Sequence, residues 1–143
     1  MKNMRAATTL LAATTLALAA QAGVEFTNVP PQLQKALRSS GLQSAQLDGN
    51  VLRARLAKPE VTELVYGTFV FHDICAQQWH HPALFAQWAL ARVELLNATG
   101  TQGYAFDARG DVCEQMGQLG KNFRTFINQR TVKCEGGNCP KPS

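Results

Sequence analysis

Four cysteines behind an export-type leader constrain this chain more than any other feature. Lys2 and Arg5 form a short basic start, and Leu10 to Ala20 is an apolar run too short to cross a bilayer. Ala20-Gln21-Ala22 has the small-x-small form of a cleavage site, so residues 1–22 read as a secretory signal peptide cut near Ala22. The expected address is the periplasm or the medium, where thiols oxidise. Cys75, Cys113, Cys134 and Cys139 are then an even set with three possible pairings. Glu-Gly-Gly-Asn between Cys134 and Cys139 has the freedom a tight loop needs, which favours Cys134–Cys139 and leaves Cys75–Cys113 to tie distant segments.

Losing residues 1–22 from 143 leaves 121, enough for one small domain over 23–130 and a disulfide-looped tail over 131–143. The cut also removes two cations, so Lys+Arg falls from 14 to 12 against 10 Asp+Glu, a net charge of +2. With no basic run left, nucleic acid is not an expected partner. No second apolar stretch reaches the length of a membrane span, and Gly23 stands where a lipoprotein would carry cysteine.

Pro30-Pro31 after Asn28 predicts a short helix over 31–40 with Leu33, Ala36 and Leu37 inward and Asn28 as its cap. Asp48-Gly49 between alternating runs predicts a β-hairpin over 42–56, with Leu52, Ala54 and Leu56 on its buried face. From Pro59 to Trp79, apolar residues at three- and four-residue spacing predict an amphipathic helix whose stripe is Val61, Leu64, Val65, Thr68, His72, Cys75, Ala76 and Trp79. A buried strand over Leu64 to Phe71 is the rival reading. His80-His81-Pro82 breaks that element, and a helical connector over Ala83 to Trp88 follows. Ala91 to Leu95 and Gln102 to Phe106 predict a second hairpin, against a rival single helix from Pro82 to Leu96. Asp107 to Arg130 reads as one helix burying Val112, Met116, Leu119, Phe123, Phe126 and Ile127, with Gly117 and Gly120 marking a close contact. The expected fold is α+β: an antiparallel sheet from two hairpins, two longer helices on it, and two disulfide staples.

For function, the segment holding Trp79, His80, His81, Phe85 and Trp88 stands out. It gathers both tryptophans and two of the three histidines at a break between elements. Tryptophan is enriched at binding hot spots, although both rings would equally suit a core beside Cys75. If the patch is exposed, its histidines would weaken binding below about pH 6.5. His72, Cys75, His80 and His81 form a competing metal-ligand cluster, but Cys75 has a readier use in a disulfide and His72 on an apolar stripe suits a core histidine. The same disulfide argues against a Cys75/His72 nucleophile. Motifs for serine hydrolases, zinc proteases and nucleotide or dinucleotide binding are missing, so a hydrolytic enzyme without a recognisable motif ranks third. Asn97-Ala98-Thr99 matches a glycosylation acceptor, read here as chance. The expectation is a small exported, non-enzymatic binding protein without a cofactor, whose partner is another protein of the cell envelope.

Overall fold

In the computed structural model, which describes residues 23–141, six strands form one sheet in chain order. The expected leader lies outside the described residues. Strand β1 (Glu25–Thr27) leads into helix α1 (Pro31–Leu37), then β2 (Leu42–Asp48) and β3 (Val51–Leu56). A long helical connection follows: α2 (Glu63–Thr68), a π-helical segment (Phe69–Cys75), α3 (Ala76–His80) and α4 (Pro82–Trp88). Strands β4 (Arg92–Leu96) and β5 (Gln102–Asp107) come next, then α5 (Val112–Gly117), a 3-10 turn (Gly120–Asn122), α6 (Phe123–Gln129) and β6 (Thr131–Glu135).

Both expected hairpins form, but the sheet is mixed rather than antiparallel. β1 pairs parallel with β2, and β3 pairs parallel with β4. The reason lies in the connections: a helical crossover over one face returns the chain to the end it left, so the strand it delivers runs parallel to its neighbour. The sheet also has two strands more than the hairpins supply. β1 adds one edge, and the other comes from the expected disulfide-looped tail, where Thr131–Glu135 pairs with β5 in five-residue register.

Strand alternation decides which face is covered. Leu52 and Ala54 sit beside Leu47 and Ala45 on one side and Val93 and Leu95 on the other, and those face Phe106 and Tyr104 across the second hairpin. This continuous apolar face receives Leu33 and Leu37 of α1 together with Tyr66, Val70 and Ile74. The opposite face is polar, and Arg53 and Arg92 flank the buried carboxylate of Glu94 there.

The helix over 63–80 forms, with Thr62 capping it through Val65 N–H at 3.2 Å, but of the expected stripe only Val61 and Cys75 are fully buried. Tyr66, Phe69, Val70, Ile74 and Cys75 turn inward, whereas Leu64 is 62% exposed and Val65, Thr68 and His72 face solvent. The larger apolar groups at Tyr66, Phe69, Val70 and Ile74 win the core, and their spacing is as helical as that of the stripe expected. His72 is thus a surface histidine, not a core one. The last expected helix divides into α5 and α6, because Gly120 takes a left-handed φ of +55° that ends a regular helix. Asn28 also has a left-handed φ, of +56°, and does not cap α1; Pro30 precedes its first residue.

Candidate functional site

The expected binding segment forms a sharp corner between α3 and α4. Pro82 lacks an N–H and can open a helix but not continue one, so the chain turns at His81. The backbone of His81 serves both helices: its N–H donates to Gln77 O at 2.8 Å, and its carbonyl accepts from Phe85 N–H at 2.9 Å. Ala89 ends α4 with a left-handed φ of +46°, which is strained for a residue with a Cβ.

The disulfide Cys75–Cys113 brings α5 against this corner, with Cα atoms 4.9 Å apart. Trp79 then reaches across. Its Nε1 donates to the carbonyl of Cys113 at 2.7 Å, and its ring lies edge-on to Phe71 at 4.8 Å. A Cβ at Gly117 would sit 2.7 Å from that same Nε1, so the glycine is the close contact the sequence pointed to. Trp79 is half-buried in this frame and fixed at its polar end.

Two adjoining clefts open beside it and share Gln78, Pro82 and Glu114. One, about 420 Å³, has Phe85, Ala89 and Leu90 in its wall; the other, about 640 Å³, has Phe71, Trp79 and Met116. The rim is acidic. Glu114 and Asp111 are exposed, and among the described residues neither is in an ion pair. The nearby cation, Arg109, is committed to Asp107 by two hydrogen bonds of 2.9 and 2.6 Å, which hold the Asp107 carboxyl below its usual range.

The five expected residues separate by role. Trp79 and Phe85 line the clefts, His80 and His81 are exposed on the corner, and Trp88 is buried against Phe85 with ring centroids 5.8 Å apart. Gln78, Pro82, Phe71, Asp111 and Glu114 were not singled out. Glu114 was within reach: it follows Cys113, so the disulfide carries it to the corner.

The competing cluster comes apart. Cys75 is fully buried in its disulfide and offers no thiolate, so the ligand set His72, Cys75, His80, His81 loses its sulfur, and no free cysteine remains among the described residues. Among those residues no three His, Cys, Asp or Glu side chains are grouped to hold a metal ion. Asn97 is a structural turn residue: 5% exposed, it donates to Pro59 O at 3.0 Å and accepts from the N–H groups of Thr101 and Gln102 at 2.8 and 3.1 Å. No family model matches the chain, and neither a curated protein nor a solved structure is significantly similar to it.

Proposed function

We propose that this chain is a small exported, non-enzymatic protein-binding module whose α3–α4 corner engages another protein of the cell envelope. The observation that carries this reading is the pairing of two clefts around Gln78, Pro82 and Glu114, one walled by Phe71 and Trp79 and the other reaching Phe85, with Trp79 of α3 fixed to α5. Preorganised aromatic groups bordering an apolar cavity are the usual anchors of a protein interface, because little side-chain freedom remains to be lost on binding. Export rests on the leader over 1–22 and is supported by two disulfides in a small domain. Among the described residues no helix is long and apolar enough to cross a membrane. An inhibitor- or immunity-type protein, or an accessory subunit of an envelope assembly, has this size and build.

The test is site-specific photo-crosslinking in the exporting cell. A photo-reactive residue replacing exposed His81 should yield one defined adduct, and the same group at Gln46, exposed on the opposite sheet face, should not. Glu114→Lys, an exposed change at the shared wall, should remove the adduct while leaving the fold intact. Equal labelling from both positions, or none from His81, overturns the reading.

A further inference from the structure

A second pair of clefts runs along the seam between α2 and α6, and its chemistry differs from that of the corner. The first, about 230 Å³, is walled by Glu63, Tyr66, Tyr104, Asn128, Thr131 and Lys133. The second, about 200 Å³, shares Glu63 and Asn128 and continues past Leu64 toward Arg124. The floor is fixed. Thr131 donates to Ile127 O at 2.6 Å, so the phenol of Tyr66 donates to Thr131 Oγ1 at 2.7 Å. Tyr104 leans on that buried ring, with centroids 5.0 Å apart and planes inclined by 33°.

We propose that this groove is a saccharide subsite, taking a neutral sugar ring against Tyr104 with its hydroxyls bonded by Glu63, Asn128 and Lys133. A sugar presents C–H groups on its face and, on its rim, hydroxyls that both donate and accept. The groove offers the complement: a half-buried aromatic ring, a carboxylate that accepts, an amide that does both, and an ammonium that donates. Glu63 and Lys133 cancel in charge, so the first cleft has no net attraction for an anion such as phosphate. An apolar ligand would strip water from these polar groups and leave them unpaired. The Tyr104 phenol is protonated at neutral pH, as an ordinary phenol is, and adds a donor. The adjoining cleft gives room for a second ring, so a disaccharide should bind more tightly than its monomer. None of this depends on the α3–α4 corner.

The experiment is saturation-transfer and amide-shift NMR on the whole exported chain, residues 23–143, titrated with N-acetylglucosamine and its β-1,4-linked disaccharide. Saturable binding is expected, tighter for the disaccharide, with shifts at residues 63, 104, 128 and 133. Asn128 is exposed, so Asn128→Ala should fold normally and weaken binding by roughly five- to tenfold, the loss of one good hydrogen bond. Tyr104→Ala should abolish binding, whereas Tyr104→Phe keeps the ring face and should weaken binding only by the roughly five- to tenfold of one lost hydrogen bond. If Tyr104→Ala fails to fold, Asn128→Ala and Lys133→Met decide the matter. No saturable binding at tens of millimolar, unchanged affinity in Asn128→Ala, or displacement of the sugar by inorganic phosphate would each overturn the assignment.

Discussion

The two disulfides are the same bond put to different uses. Cys75–Cys113 closes a separation of 38 residues, lies in the core and joins the π-helical segment to α5. Cys134–Cys139 closes only 5 and folds the end of the chain back over the polar sheet face, where Pro140 O accepts from Arg92 Nη2 at 2.8 Å. Gly103 stands opposite Cys134 in the register and has no room for a side chain: a Cβ there would come 2.8 Å from Leu96 Cα. One bond sets the geometry of the candidate site; the other secures an edge. The lesson is that a crosslink's importance follows from what its loop encloses.

Removing the first bond with Cys75→Ala and Cys113→Ala has the largest expected effect, about 4 kcal/mol by the chain-entropy relation. That approaches the whole stability of many small domains, so urea unfolding of the double variant should show little or no native baseline at 37 °C. Removing the second with Cys134→Ser and Cys139→Ser is expected to cost at most about 2 kcal/mol. Its sharper signature is local: limited proteolysis should cut after Glu135 while residues 23–130 stay resistant. Equal losses in the two double variants would end the distinction between core clamp and edge staple.

A smaller effect probes the contact that the first bond makes possible. Alanine is normally the better helix residue, by about 1 kcal/mol over glycine. At Gly117 the sign should reverse, because the new methyl meets Trp79 Nε1. Gly117→Ala is expected to destabilise by about 1.5 kcal/mol. Trp79→Phe loses the bond to Cys113 O at a cost of about 1 kcal/mol and vacates the same space. Gly117→Ala should then cost less in Trp79→Phe than in wild type. Additive costs in this double-mutant cycle would mean that the glycine serves something other than Trp79.

Both disulfide pairings, both hairpins and the His81–Pro82 break were legible in the sequence, because each is set by residues close together or, for Cys75–Cys113, is what the short Cys134–Cys139 pair leaves over. What was not legible depends on partners far along the chain. The parallel joins at β1–β2 and β3–β4 follow from how crossovers lie on the sheet, which no local pattern records. The buried face of 63–80 was misread because two apolar stripes overlap there, and only the sheet's own apolar face chooses Tyr66, Phe69, Val70 and Ile74. β6 has Lys133 and Glu135 pointing from an edge and so lacks the apolar signature of a strand. The candidate site was half legible: Trp79 and Phe85 drew notice as aromatics, but Glu114 and Asp111 reach the corner only through the fold.

The smallest expected effect is electrostatic and has opposite signs in the two regions. Asp73, two residues before Cys75, takes a hydrogen bond from Ser40 at 2.9 Å; burial still outweighs Ser40 and His72 and raises its carboxyl above the ordinary value. The folded state therefore holds that proton more tightly than the unfolded chain does. By linkage, wild-type stability declines as pH rises from the unfolded carboxylate value, near about 4, through the higher folded one. Asp73→Asn keeps an acceptor for Ser40 and carries no charge, so its midpoint should gain on wild type over that window and stay ahead at neutral pH. Asp107, beside the stapled tail, is lowered first by its side-chain bonds to Arg109. Its contribution is present above the unfolded value and is lost as pH falls through the folded one. Asp107→Asn should accordingly be the less stable protein at neutral pH and converge on wild type in acid. Denaturant midpoints of the three proteins across this pH range test both signs at once. An Asp73→Asn curve that parallels wild type would show that Ser40 and His72 fully offset the burial of the carboxylate.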